Sequence, residues 1–207
     1  MEFAAATLSP SHKVTTEFVL NLLLDEDMNQ DVKALYKTSV EAHNQQSEEL
    51  GNAGFDLFVP ETCSLQRDPN EVSVVQRINY KIRCEMIRKE WGVDENDCIV
   101  RSLPFYLYPR SSCTLSNGVG IIDAGYRGRL QASVRSFDDF VTYSQGRRIV
   151  QVCHPSLRFF RVRIVDSITD FHHAVTDRGE GGFGSSGAAG VVAAATTDAQ
   201  HGRGEEV

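Results

Sequence analysis

Near the C-terminus the chain reads Arg178-Gly179-Glu180-Gly181-Gly182-Phe183-Gly184-Ser185-Ser186-Gly187, five glycines and two serines around one arginine and one phenylalanine. Glycine lets a backbone approach a ligand closely and adopt positive φ. Successive N–H groups in such a turn form a nest for an anion. A guanidinium clamps phosphate with a planar fork, and an isolated aromatic ring stacks on a flat base. The stretch therefore has the makings of a strap that closes over a nucleotide. The same composition also describes a flexible chain end, and local residue types alone do not separate the two readings.

The rest of the composition narrows the chemistry. The chain has 207 residues, enough for one domain with a sizeable core. Its net charge of −7 excludes a general nucleic-acid binder, which needs a basic face, but not a small basic pocket for one nucleotide. The five cysteines, Cys63, Cys84, Cys98, Cys113 and Cys153, are odd in number and contain no Cys-x-x-Cys pair. That argues against a disulfide framework and a zinc site, and for a reducing intracellular compartment, cytoplasmic or nuclear. Six histidines show no metal-ligand spacing, and the pair His172-His173 reads as solvent-exposed, its rings on different faces of a strand. No signal peptide is expected from Met1 to Lys13. The longest apolar run, Phe18 to Leu24, is too short to span a bilayer and is broken by Asn21, so no membrane partner is expected.

The elements that would position a site are mostly short strands. Thr16 to Leu24 reads as a strand. Val32, Leu35, Tyr36 and Val40 follow a helical spacing, which predicts one helix from Asp31 to about His43. Phe55 to Val59 is a short apolar run ending at Pro60. Val74, Ile78, Tyr80, Ile82 and Cys84 share parity, which suits one strand with a buried face. Met86 to Cys98, with the only tryptophan, Trp91, reads as an irregular excursion or hairpin tip. Ile99 to Tyr108, Leu130 to Phe137, Arg148 to Cys153 and Phe159 to Val165 are further strand candidates. The pattern predicts an all-β barrel or jelly-roll with one short N-terminal helix. Residues 1–15 read as a flexible leader, 16–177 as the β domain, 178–187 as the strap and 188–207 as a disordered Ala/Gly-rich tail.

Five segments, in order, resemble the motifs of the trimeric dUTPase family. They are Ala53-Gly54-Phe55-Asp56-Leu57, Pro109-Arg110-Ser111-Ser112, Asn117 to Gly128, Gly146-Arg147-Arg148-Ile149-Val150-Gln151, and the glycine-rich strap. The third and fifth are the specific ones, and the likeness runs from about Thr16 to Gly187. The resemblance implies a homotrimer of a β-clip fold that hydrolyses dUTP to dUMP and pyrophosphate with Mg²⁺, each active site built from three subunits.

The resemblance also implies roles for individual residues. Asp123 matches the carboxylate that activates water, which suits the base that hydrolysis at a phosphorus requires. It sits between Ile122 and Ala124-Gly125, where a hairpin tip could present it. Asp56 matches an aspartate that helps order the metal and its waters. Tyr126 matches the tyrosine beneath the deoxyribose, whose close packing leaves no room for a 2′-hydroxyl. Asn117, together with Gly120 and Ile122, falls where the family contacts the base. Arg110, Ser111 and Ser112 match the phosphate-binding turn, and Gln151 a glutamine on the phosphates. Arg178 falls on the terminal phosphate and Phe183 on the uracil face, with Gly184 and Ser185 beside it. Mg²⁺ binds through substrate phosphates and waters rather than a protein cage, and no dedicated metal-ligand cluster is expected.

The chain departs from the family pattern in places. Arg147 stands where an acidic residue is usual, and the link Cys113-Thr114-Leu115-Ser116 is shorter than usual. The stretch 67–98 reads as surface decoration. Two other functions remain open. A dCTP deaminase would need a carboxylate on the strand after Asp123, where Leu130-Gln131-Ala132-Ser133-Val134 has none. A nucleotide-binding or regulatory protein that has lost catalysis would fit if the short link displaced Arg110 and Ser111.

Overall fold

The computed structural model describes residues 15–92 and 97–182. The expected tail, most of the expected leader, and Phe183, Gly184 and Ser185 lie outside the described residues. In chain order the elements are β1 (Thr15–Leu24), α1 (Gln30–Asn44), β2 (Gly54–Phe58), β3 (Cys63–Gln66), β4 (Val74–Asn79), β5 (Ile82–Trp91) and β6 (Cys98–Leu103). There follow β7 (Phe105–Pro109), β8 (Thr114–Leu115), β9 (Gly120–Ile122), β10 (Gln131–Ser136), β11 (Phe140–Tyr143), β12 (Arg148–Cys153), β13 (Arg161–Val165) and a 3₁₀ turn at Ile168–Asp170. The described chain is thus mostly β, with a single α-helix near its N-terminal end.

Two four-stranded sheets carry most of the architecture, ordered β13-β1-β5-β6 and β2-β12-β7-β9. Smaller sheets, β4-β10-β8 and β11-β3, complete it. β1 pairs antiparallel with β5 and parallel with β13. Its consecutive residues Val19, Leu20, Asn21 and Leu22 are all buried. Burial on both faces is why this segment is a continuous apolar run rather than an alternation.

Helix α1 starts at Asn29, whose side chain accepts from the Asp31 N–H, satisfying one of the orphan donors of the first turn. Its buried residues are Val32, Tyr36 and His43. The Tyr36 hydroxyl accepts from the Phe58 N–H at 3.1 Å, and the His43 ring meets the Phe160 carbonyl at 2.8 Å. Asn44 accepts from Val162 N and donates to Val162 O, at 2.9 and 2.8 Å. Its amide thus takes the place of a neighbouring strand beside β13 and closes that edge.

The structure revises three sequence expectations. The run from Val72 to Cys84 is two strands in different sheets, broken at Lys81, which adopts φ 55° and donates its N–H to Asn79 Oδ1. The parity survives the break, because Ile78, Tyr80, Ile82 and Cys84 are all buried. Ile99 to Tyr108 is likewise two strands, separated at Pro104, a residue with no N–H to give a ladder. The stretch 67–98 is not surface decoration. It contributes β5, the partner of both β1 and β6, with Ile82, Cys84, Met86 and Ile87 in the core.

Candidate functional site

The register of β2, β12 and β7 builds the first part of the site. Gln151 of β12 lies opposite Asp56 of β2 on one side and Tyr108 of β7 on the other. Directly paired residues share a face, so these three side chains form a row. Their neighbours Phe55, Leu57, Leu107 and Val152 point the other way, into the core. Arg110 and Ser111 follow in the turn after β7, where the Arg110 N–H donates to Ile149 O and the Cys113 N–H closes back on Arg110 O, each at 2.9 Å. The row and the turn line a cleft of about 550 Å³, with Asn52, Ala53, Gly54 and Cys153.

Charge in this cleft centres on Asp56. Its Oδ2 accepts from Arg110 Nη1 and, at 3.2 Å, from Arg148 Nη1. The cleft therefore holds one guanidinium, Arg110, and one amide, Gln151, beside one carboxylate, with Arg148 reaching that carboxylate from outside the lining, an arrangement suited to a polyanion. Arg148 had no role in the sequence reading, although it lies in the fourth motif beside Arg147. Arg147, the departure from the family pattern, instead stacks its guanidinium 5.7 Å over the Tyr143 ring. Burial pushes the Cys153 thiol up to about 11, so it stays protonated in the cleft wall.

A second cleft, about 220 Å³, gathers Asn117, Gly120, Ile122, Asp123, Tyr126 and Arg178, with Gln131, Gly181 and Gly182. No residue lines both clefts. Ser112 is exposed in the turn beside the first cleft without lining it. Asp123 is not at a hairpin tip. β8 pairs with β10 while β9 pairs with β7, and Asp123 opens a turn after β9, its carbonyl accepting from the Tyr126 N–H at 3.0 Å. The short 113–116 link is not a gap in the structure, since it holds β8 and lets Ser116 N–H reach Ser133 O.

Tyr126 donates its hydroxyl to Arg129 O at 2.9 Å. Its ring lies against Gly128, where a Cβ would come within 2.6 Å of the phenol carbon. Only glycine permits that approach. Burial, then the nearby Glu180 carboxylate, raises the Tyr126 phenol, which remains a neutral donor. Arg178 pairs with Asp123 at 3.0 Å. The segment around it docks on the same turn, where Arg127 N–H donates to Gly179 O and Thr176 Oγ1 donates to Gly125 O, and on β5, where Arg83 pairs with Glu180.

Beneath the turn lies Glu85 of β5, fully buried and joined to Arg127 at 2.7 Å. Glu85 also accepts from Asn21, Ser102 and the N–H groups of His172 and His173. Arg127 in turn donates to the carbonyls of Ala124, Tyr126 and His173. Sequence reading missed both residues. A charged Glu85 inside an apolar strand was the available signal. The two histidines are exposed, as expected, but they follow the 3₁₀ turn rather than a strand, and their rings lie 4.1 Å apart. Among the described residues, no three His, Cys, Asp or Glu side chains gather as a metal cage. No helix among them is long and apolar enough to cross a membrane.

The described chain is thus a mostly β protein with acid, guanidinium and amide groups in one cleft and an Asp–Tyr turn in another. The chain is similar to the dUTPase family: the family model for dUTPase matches residues 98–187. It is 29% identical over 163 residues to the deoxyuridine 5'-triphosphate nucleotidohydrolase of Streptomyces avermitilis, covering 75% of this chain and 80% of the relative. It is 28% identical over 181 residues to that of African swine fever virus, covering 81% and 94%. Over a shorter stretch of 94 residues it is 42% identical to that of an Enterobacter species, covering 42% and 58%.

Proposed function

We infer that the protein is a dUTP diphosphatase that hydrolyses dUTP to dUMP and pyrophosphate as a homotrimer. The observation that carries this reading is the set of groups collected in the two clefts. One cleft supplies Arg110, Ser111 and Gln151 for the phosphates. The other supplies Asp123, with Asn117, Gly120, Ile122 and Tyr126 for the nucleoside. Their separation within one chain supports sites assembled from several subunits. The catalytic unit is residues 16–177, with 178–187 as the strap.

In this mechanism a water attacks the α-phosphorus, the bond to the bridging oxygen breaks, and pyrophosphate leaves with the electron pair. Asp123 takes the proton of the attacking water. For that, its ion pair with Arg178 must open, and Arg178 then turns to the terminal phosphate. Arg110 and Gln151 hold phosphoryl oxygens, where charge-assisted hydrogen bonds are strongest. Tyr126 packs under the sugar and excludes a ribose 2′-hydroxyl. Base recognition by hydrogen bonds to uracil rejects cytosine strongly, because the mismatched polar groups stay unpaired. Phe183 stacks on the base, with Gly184 and Ser185 beside it. Asp56 is the one carboxylate in the phosphate cleft, which fits an Mg²⁺ held mainly by the phosphates and waters. When bound, Mg²⁺ neutralises charge on the phosphate chain. The ordered turn after Arg110 and the pairing of β8 support an intact rather than an impaired site.

The test is pyrophosphate release, measured for dUTP, dCTP, dTTP and UTP with and without Mg²⁺, together with the mass by light scattering. Turnover confined to dUTP and a trimer mass are expected. Equal turnover of dCTP, ammonia release, or an active monomer would overturn the reading.

A further inference from the structure

Glu85 and Arg127 form a buried ion pair outside the two clefts. Glu85 is 1% exposed and Arg127 3%. Isolating two charges from water is costly, and such pairs are commonly no better for stability than apolar side chains of the same size. Their hydrogen bonds point to a different use.

All the protein groups that meet this pair belong to three places. The first is the frame: Asn21 of β1 and Ser102 of β6 donate to Glu85 from either side of β5, at 3.3 and 3.0 Å. The second is the turn that carries Asp123: Arg127 Nη1 donates to Ala124 O and Tyr126 O, each at 2.9 Å. The third is the segment leading to Arg178: His172 N–H donates to Glu85 Oε2 at 2.6 Å, His173 N–H to Oε1 at 3.2 Å, and Arg127 Nε to His173 O. The Arg127 backbone N–H also holds Gly179 O at 2.8 Å. A single carboxylate–guanidinium unit thus fixes the base-bearing turn and the root of the strap to the same rigid sheet.

We propose that Glu85 and Arg127 are positioning residues, which hold Asp123 and the take-off of the strap at Thr176–Gly179 in one fixed relation. This rests on the reading of Asp123 as the base for dUTP hydrolysis. Neither residue touches substrate. They act by setting the Ala124 and Tyr126 carbonyls, and through them the direction of the Asp123 carboxylate. Lysine at 127 keeps the charge but has no fork to span Ala124 O, Tyr126 O and His173 O together. Glutamine at 85 turns an N–H₂ toward groups that are themselves donors.

Three variants separate positioning from stability: Arg127→Lys, Glu85→Gln and, as a control, Met86→Ala. Met86 is the fully buried neighbour of Glu85 on β5 and, one residue along the strand, points to the opposite face. All three should lower Tm. Arg127→Lys and Glu85→Gln should lower kcat for dUTP by at least ~10-fold with KM within about 3-fold, because a small misplacement of the base falls on the chemical step. Met86→Ala should leave kcat within about 2-fold. A second readout does not depend on activity. Native trypsin cleavage after Arg178, followed by mass spectrometry, should be at least ~5-fold faster in Glu85→Gln and Arg127→Lys than in wild type, because local opening exposes the site, and little changed in Met86→Ala.

If wild type turns over dUTP and Arg127→Lys keeps its kcat, the inference is wrong. If wild type releases no pyrophosphate, the assignment of function fails on its own, and the trypsin comparison alone decides the positioning role. Equal cleavage rates in all four proteins then overturn it.

Discussion

Gly54 offers a sharp test of the phosphate cleft, because replacing it changes the site without touching a charged residue. Gly54 opens β2 opposite Cys153 and has the same parity as Asp56, so a side chain there would enter the cleft. A Cβ would collide with Gln151 Oε1 and lie 2.9 Å from Gln151 Cδ and 3.0 Å from Cys153 Sγ. The Gln151 amide is the flexible end and yields before the backbone does. Overpacking costs about 1–3 kcal/mol in a rigid core, and less against a chain end that can swing away. Alanine also returns about 0.5–1 kcal/mol within a strand. Gly54→Ala should therefore fold with a Tm close to wild type.

Its effect should fall on binding. Moving the Gln151 amide off the phosphates removes a hydrogen bond to a charged group, about 1.5–3 kcal/mol. At 1.4 kcal/mol per tenfold this raises KM for dUTP by about 10- to 140-fold. The assay is initial-rate pyrophosphate release for wild type, Gly54→Ala, Gln151→Ala and the double variant. If the mechanism holds, Gly54→Ala acts only through Gln151, and the double variant is no worse than Gln151→Ala alone. Additive losses, or an unchanged KM in Gly54→Ala, would refute the reasoning.

Three other outcomes are expected. Asp123→Asn should lower kcat by at least ~10²-fold while retaining calorimetric affinity for a non-hydrolysable dUTP analogue, since proton removal is lost and phosphate binding is not. Truncation after Asp177 should keep a cooperative thermal transition and the oligomeric state of the parent, because it removes no core residue, yet it should cut dUTP turnover sharply by removing Arg178 and Phe183. Burial lowers the His43 and His154 imidazoles below the ordinary 6.5, with the Phe160 carbonyl opposing the shift at His43 and Arg158 adding to it at His154. A depressed folded value gives stability that is complete above about pH 6.5 and is lost as pH falls through the lowered folded values. Tm should drop between pH 7 and 5, and by less in His154→Gln; a flat profile would remove this linkage.

The parts of the fold that were legible in the sequence are those with strong local pattern. The α1 helix was read from its helical spacing, and the β1 run and the β12 segment Arg148–Cys153 from short β-rich apolar runs, and all three lie where expected. Sheet membership was not legible. The run across Lys81 keeps one parity through a positive-φ kink, so alternation alone cannot show that Ile78 and Ile82 belong to different sheets. Strands β3 and β11 are four residues each and pair only with one another, too short to stand out. Of the candidate site residues, those described sit in or beside the two clefts, with Ser112 exposed next to the first. Arg148 and Glu85 were missed because their importance depends on partners far off in sequence, Asp56 and Arg127.

The two clefts are specified by the sequence in different ways. In the first, site and core are alternate residues of the same strands: Asp56 between Phe55 and Leu57, Gln151 between Val150 and Val152, and Tyr108 beside Leu107. A slip of one residue in the register would put Asp56 into the core and Phe55 or Leu57 into the cleft. The packing that stabilises β2, β12 and β7 therefore also fixes the row of Asp56, Gln151 and Tyr108, and no separate device is needed. The second cleft has no such protection. Asp123 and Tyr126 sit in a turn, where side-chain direction is not enforced by a pleat. Their placement depends on the carbonyls of Ala124 and Tyr126 being held from below by Arg127. That difference explains why a buried charge pair is placed under the turn and not under the strands. It also means the backbone of the two halves should fail differently: the row in the first loses its direction only with the strand register, whereas the turn in the second can shift while the sheets remain intact.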